Sequence, residues 1–394
     1  MKIMIAVNTA KKIIAEHCVQ LPVVQVDLLN ALNYALAEDL FSPIQFPAFR
    51  QSSMDGYAIY WEEKANPLFI QAAMPAGTEQ PLLLQKGKAI QVFTGGPIPD
   101  GANCVVQKEW VTVNNSAIEI HLNNNIQLGD HIRNIGSDLQ KNTLLLQKHT
   151  VIQPSHIALM ASAGITTVKV LQKPSVGILI TGNELVQPGN TLSFGKVYDS
   201  NAFTIQAHLK KVGITQMQVR YVSDNLQETE NSIKELLLHH DMIIITGGVS
   251  AGDYDYVPQA CINAGVQQHF HKVKQRPGKP LFFGTQKNKL VFGLPGNPAA
   301  VISCLYQYVI PAIDQICGTH TIQATTAKVS TAFQKNIPLT QFLKGYLEGN
   351  TVKILPAQAS YQLSALTNAN CWIELEESDT QIESGAEKRV YLFL

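Results

Sequence analysis

Between residues 176 and 316 the chain repeats one pattern: a short apolar run, a loop rich in glycine, then a stretch with helical spacing. The runs cover residues 176–180, 218–222, 242–246, 281–284 and 290–293. Several are apolar at every position, as expected of strands covered on both faces. Between them, Asp199-Ser200-Asn201 can cap a helix through Lys211 that ends at Gly213. Asp224, with Gln227 three residues on, resembles a capping box for a helix to about residue 239. Another helix runs from about Val257 to Gly265, and Asn297-Pro298 opens a long one to about residue 316. Strands alternating with helices predict a parallel, doubly wound α/β domain.

The flanks read differently. Asn8 or Thr9 can cap a helix to about Cys18, and a second helical stretch covers about residues 28–37 before Pro43 and Pro47 break it. Residues 44–146 hold short β-rich pieces (89–93, 104–108, 117–122) among Gly, Pro and Asn clusters, which predicts an inserted β-domain. Residues 154–163 are helical again and stop at Gly164; beyond 319 short strands return as a small β-domain. At 394 residues the chain is too long for one core. The expected division is 1–43 with 147–172 (helical), 44–146 (inserted β), 173–319 (α/β) and 320–394 (C-terminal β).

Lys+Arg and Asp+Glu both number 30, so no net charge draws the chain to nucleic acid or an anionic membrane. Any bound anion needs a local site. The apolar start, Met1 to Val7, is short and lacks a cleavage pattern, so no signal peptide is expected. The longest apolar runs are too short to span a bilayer. The six cysteines are scattered with no CxxC pair, which fits reduced thiols in the cytoplasm.

Open parallel sheets bind ligands outside the carboxyl ends of their strands. Four loops on that predicted edge are unusual: Thr181-Gly182-Asn183-Glu184, Thr246-Gly247-Gly248-Val249-Ser250, Arg276-Pro277-Gly278-Lys279-Pro280, and Gly293-Leu294-Pro295-Gly296-Asn297-Pro298. One such loop is ordinary turn chemistry. Together they can converge backbone N–H groups on an anion, with Arg276 and Lys279 adding full charges. The same edge carries Glu184, Asp199, Asp224, Asp253 and Asp255. Carboxylates beside phosphates suit Mg²⁺, although Asp199 and Asp224 can equally be helix caps. The chain has no P-loop, GxSxG elbow or HExxH. His269 and His271 share a strand face but have no third ligand in the sequence pattern.

Read in order, these segments resemble the molybdopterin molybdenumtransferases, the MoeA and gephyrin E-domain type. The resemblance starts at Ser53-Met54-Asp55-Gly56-Tyr57-Ala58 and continues through Thr94-Gly95-Gly96-Pro97-Ile98-Pro99, Ile132-Arg133 and Gly136-Ser137-Asp138. It then takes in the four loops above, Tyr198-Asp199-Ser200-Asn201 and Asp255-Tyr256. It implies a homodimer with its site shared between subunits, four domains and a C-terminal β-barrel. It implies adenylylated molybdopterin and molybdate as substrates, Mg²⁺ as cofactor, molybdenum cofactor and AMP as products, and the upstream molybdopterin adenylyltransferase as a candidate donor.

The roles that follow from the resemblance fall into groups. Asp55, Asp138, Glu184, Asp224 and Asp255 take catalytic positions, with Glu184, Asp224 and Asp255 on the metal. Thr94, Thr181, Gly182, Asn183, Asp199, Gly247, Gly248, Ser250, Lys272, Arg276, Lys279, Pro295, Asn297 and Pro298 hold the pterin substrate. Arg276, Lys279, Lys344, Ser360 and Ser364 hold molybdate. The chain departs from the family pattern at Arg276 (usually lysine), at Ala299-Ala300 (usually a serine) and at Lys344 (usually arginine). The related adenylyltransferase lacks the Ser53–Ala58 segment, and a gephyrin-like scaffold role is the non-enzymatic rival.

Overall fold

A computed structural model describes residues 4–250 and 255–394. The chain divides into two compact units. One holds residues 1–37, 149–153 and 168–394, and the other holds 38–148 and 154–167.

The larger unit is built on a six-stranded sheet. Met217–Val222, Val176–Thr181, Met242–Thr246 and Lys289–Leu294 run parallel, with Val176 opposite both Met217 and Met242, and Met242 opposite Leu290. The last two strands, Pro280–Gln286 and Gln267–Lys272, are antiparallel, so the sheet is parallel only over its first four. The cause is local: residues 286–289 close a hairpin with Lys287 at φ 54°, leaving no room for a crossover helix. Alternate residues feed opposite layers. Ile178, Ile180 and Ile244 join a core with the helices Val7–His17, Asn201–Lys211 and the long helix from Pro298. Leu179, Ile243 and Ile245 join another with Leu226–His239 and Val257–Asn263. These residues are at most 1% exposed, worth about 1.5–3 kcal/mol each.

Several boundaries differ from expectation. The helix Leu226–His239 is capped by Asn225, whose side chain accepts from Glu228 N–H, one residue beyond the Asp224–Gln227 box. Residues 28–37 form only a short 3-10 turn, Leu28–Ala31, because Asn33 takes φ 64°. The first helix carries no side-chain cap. The long helix contains a π turn, Leu305–Val309, between Pro298–Cys304 and Ile310–Cys317. Pro311 lacks the N–H that would bond residue 307, so the regular ladder cannot continue there. This helix is 20 residues long with mean hydropathy 1.3, enough by length and composition to cross a membrane, but 89% of that window is buried inside the protein. It is a core helix.

At the C-terminal end, Ala324–Val329, Thr340–Glu348, Thr351–Ile354, Cys371–Leu375 and Glu387–Leu392 close on themselves as a five-strand barrel. A short strand, Gln275–Arg276, pairs with its longest member, Gln275 opposite Thr340.

The smaller unit has a six-stranded sheet in the order Cys104–Gln107, Gly56–Ile59, Lys88–Val92, Leu68–Met74, Ala117–Ile120, Val111–Asn114. Its helix, Pro154–Ser162, ends before Gly164 at φ 76°.

Candidate functional site

The carboxyl ends of the parallel strands carry the site. Thr181, Thr246 and Leu294 end three neighbouring strands, and the antiparallel Pro280–Gln286 strand begins at the same edge. That reversal delivers the Arg276–Lys279 loop to the ends of the other three. Two cavities lie there, of about 420 and 310 Å³, sharing Pro280, Pro295 and Asn297 as a common wall. They form one trough.

The larger cavity is acidic. Thr181, Gly182, Glu184, Asp224, Gly247, Gly248, Ser250 and Asp255 line it. Glu184 is exposed, and Asp224 and Asp255 are half-buried. Asn183 and Asp224 clasp each other: Asn183 N–H donates to Asp224 Oδ2 (3.0 Å), and Asp224 N–H to Asn183 Oδ1 (3.2 Å). Gly247, at φ 92°, lets the loop lie on the neighbouring strand end; a Cβ there would sit 2.3 Å from Thr181 O. Thr181 Oγ1 and Asn297 Oδ1 are buried with no hydrogen-bond partner among the described residues. Groups of this kind await a ligand or water.

The smaller cavity is basic. Arg276 and Lys279 stand exposed on its rim, with Ala300 and the barrel residues Gln341, Gln358 and Ser360 around it. None of Glu184, Asp224, Arg276 and Lys279 has an ion-pair partner among the described residues.

The loops are braced from beneath. Asn201 Nδ2 donates to Thr246 Oγ1 (3.0 Å) and Gly296 O (2.8 Å), and Thr246 Oγ1 donates to Pro295 O (3.0 Å). Buried His271 lies with Nε2 2.6 Å from Val249 O.

Two expectations change. Asp199 is 1% exposed and spent: Oδ1 accepts from the N–H groups of Asn201 and Ala202, and Oδ2 from the Tyr221 hydroxyl. Burial and that bond push the Tyr221 phenol up to about 12, so it stays a donor. Asp199 caps the Asn201 helix and lines neither cavity. Lys344 is 1% exposed, and its ammonium donates to the carbonyls of Ala357, Ala359 and Gln362 at 2.9–3.0 Å. A lysine has three N–H donors, so none remains for molybdate.

Lys272 and Ser364 line neither cavity, and Pro298 sits at the helix start just beyond the wall. Asp253 lies outside the described residues. In the smaller unit, the Thr94 N–H and hydroxyl both donate to Asp55 Oδ1 at 2.8 Å, holding that carboxyl below its ordinary range; Lys108 Nζ stands 4.0 Å from Oδ2. Asp138 is exposed after the Ile132–Arg133 strand, whose Ile132 pairs with Ser52.

Sequence reasoning missed Gln275, which is fully buried beneath the basic loop. A signal was present: Val273 and Gln275 alternate with Lys274 and Arg276, which puts a polar residue on the inward face.

A trough at the carboxyl edge of a doubly wound sheet, acidic at one end and basic at the other, defines an α/β protein equipped for a charged ligand. Three family models match in order. They are the MoeA N-terminal region (domain I and II) at residues 5–164, a probable molybdopterin binding domain at 177–315, and the MoeA C-terminal region (domain IV) at 326–393. A molybdopterin molybdenumtransferase of Haemophilus influenzae is 31% identical over 370 residues, 91% of each chain. One from Bacillus subtilis is 32% identical over 382 residues, 93% of this chain and 89% of the relative. The crystal structure of the molybdopterin biosynthesis MoeA protein from Pyrococcus horikoshii superposes with a TM-score of 0.82 at 28% identity, covering all of both chains. The chain belongs to the molybdopterin molybdenumtransferase family.

Proposed function

We propose that this protein transfers molybdenum from molybdate to adenylylated molybdopterin, cleaving the phosphoanhydride as molybdate joins the dithiolene and releasing AMP. The observation that carries the reading is the two-ended trough, in a chain of this family. A substrate with bridging phosphates needs groups that neutralise developing charge. Molybdate, a tetrahedral dianion, needs cations and donors, and Arg276, Lys279 and Ser360 supply them at the basic end.

The acidic end suits Mg²⁺. Glu184, Asp224 and Asp255 line one cavity, but no cluster of three metal-ligating side chains exists among the described residues. That donor set suits an ion held by one or two carboxylates plus the substrate's own phosphate oxygens. When bound, it would neutralise phosphate charge. The chain's own part is to hold the pterin phosphate end with the N–H groups of Gly247, Gly248 and Ser250 and to position the phosphates against Glu184.

The reading extends to a four-domain subunit in a homodimer, with Asp55 reaching the partner's site, and to the cytosol, where the six free cysteines stay reduced. The upstream adenylyltransferase is the expected substrate donor.

The test mixes the protein with adenylylated molybdopterin, molybdate and Mg²⁺ and measures AMP. AMP release that depends on molybdate and stops with a chelator is expected; none under any of these conditions overturns the function. Mixed dimers of Asp55→Ala and Glu184→Ala subunits should regain up to about half the wild-type rate, because one site escapes both defects. Verified heterodimers that stay inactive overturn the shared site.

A further inference from the structure

Beneath the basic rim lies a buried polar connection. Gln275 is 0% exposed. Its Nε2 donates to Gly278 O at 3.0 Å, inside the Arg276–Lys279 loop. Its Oε1 accepts from the hydroxyl of Tyr308. Tyr308 is 1% exposed and sits in the π turn Leu305–Val309 of the long core helix. Burial raises the Tyr308 phenol well above its ordinary range, so its proton stays in place for donation. The chain of contacts therefore runs from the helix core through one amide to the carbonyl at the loop tip.

The space around that carbonyl is closed. Gly278 has φ 88°, and a Cβ there would meet Cys304 Sγ and Gln275 Nε2, each at 2.7 Å. The loop packs directly on the amide. A methionine of similar length would fill the volume yet leave Tyr308 OH and Gly278 O without partners. Unsatisfied buried groups are costly, and the loop can recover its carbonyl's bond only by moving toward solvent.

We infer that Gln275 is a positioning residue: through Tyr308 it fixes the pose of the Arg276–Lys279 loop and so the placement of the two cations that receive the oxyanion. The inference rests on the proposed function for the identity of the anion, but not for the loop's rigidity. A single amide uses both of its ends here because the two groups it joins have opposite needs: a hydroxyl that must donate and a carbonyl that must accept. Glutamate could satisfy the first, and the second only while its carboxyl stays protonated.

The test compares wild type, Gln275→Met, Gln275→Glu and Tyr308→Phe as full-length proteins. Molybdate binding is read by calorimetry, KM and kcat by AMP release, and loop opening by amide hydrogen exchange over residues 274–280. Gln275→Met should weaken molybdate binding about tenfold, the effect of losing roughly one buried hydrogen bond. It should raise KM for molybdate far more than it lowers kcat, and speed exchange in the loop selectively. Tyr308→Phe should move all three readouts the same way by less, and Gln275→Glu should do less harm than Gln275→Met, because a carboxyl buried at this position stays protonated and its O–H can still donate to Gly278 O. The double variant Gln275→Met with Tyr308→Phe should be no worse than Gln275→Met alone, since both act through one contact. Should the Gln275 variants fail to fold, Tyr308→Phe decides, as it removes one oxygen and keeps the ring. If wild type takes up molybdate and the folded variants bind it equally well, with loop exchange unchanged, Gln275 only fills the core and the inference is wrong. If wild type takes up no molybdate at all, the functional reading falls, and amide exchange over residues 274–280 alone decides whether Gln275 fixes the loop.

Discussion

The trough and the barrel beside it treat charge in opposite ways. In the trough, Glu184, Arg276 and Lys279 are exposed and have no ion-pair partner among the described residues. In the barrel, Lys335 and Lys344 are 4% and 1% exposed, and each ammonium is surrounded by three backbone carbonyls. Lys335 holds the 376–379 turn, and Lys344 holds the 357–362 loop. A lysine with its donors filled does the work of secondary structure in an irregular loop; one with its donors empty is available to a ligand. Side-chain type cannot separate the two, but the count of satisfied donors can.

The largest expected effect breaks the trough at its acidic end. Glu184→Gln keeps the volume and removes the charge. It should fold with an unchanged thermal midpoint and lose AMP release by about a hundredfold or more, the scale seen when one charge-stabilising group is removed. A wild-type rate would make Glu184 a loop residue and nothing more.

At the basic end, Lys279→Ala should weaken substrate and molybdate binding by about 1.5–3 kcal/mol, the range for a hydrogen bond to a charged group. Calorimetry that finds no change places the loop's cations away from the anion. The matching change in the barrel is Lys344→Met. It leaves three carbonyls without their donor and should cost stability, about 1–3 kcal/mol by urea unfolding. Its effect on molybdate affinity should be smaller than that of Lys279→Ala and should come through the 357–362 loop, which carries Gln358 and Ser360 on the cavity wall. A greater loss of binding than Lys279→Ala, with stability intact, would return Lys344 to the ligand set.

This contrast also marks what the sequence could reveal. The α/β strands were legible because burial on both faces demands unbroken apolar runs, and residues 242–246 satisfy that without ambiguity. The four loops were legible because glycines cluster where backbone must approach backbone, as Gly247 does to Thr181. Asp199 was ambiguous for a physical reason: a cap and a ligand both need a short carboxylate at a loop end, and only the positions of Tyr221 and the Asn201 N–H decide between them. The antiparallel end of the sheet was hidden because a strand's direction depends on its connection, and residues 286–289 lack an Asn-Gly or Asp-Gly turn signal. The filled donors of Lys344 were hidden because a family position carrying positive charge says nothing about what surrounds the ammonium.

The smallest effect sharpens the comparison on the barrel side, at Lys11. Its Nζ donates to Gln307 Oε1 (2.7 Å) and Tyr391 OH (3.2 Å), and lies 4.8 Å from the Tyr391 ring centre. Burial lowers its pKa to about 8, with Glu374 opposing the shift and Arg389 adding to it. Here, as at Lys344, the partners do not fully replace water: burial lowers both ammonium groups from the ordinary lysine range. The folded pKa lies below the unfolded value of about 10.5, so between roughly pH 8 and 10.5 the unfolded chain holds the extra proton. Stability contributed by this residue therefore rises with pH across that window and is lowest below it. Lys11→Met should remove that slope. The measurement is the difference in urea midpoint between wild type and Lys11→Met at pH 7 and at pH 9.5, which cancels the other titrating groups common to both. Wild type should gain on the variant as pH rises. A difference that stays flat would mean that the partners of Lys11 replace its water in full. A difference that falls would mean that its charge stabilises the fold.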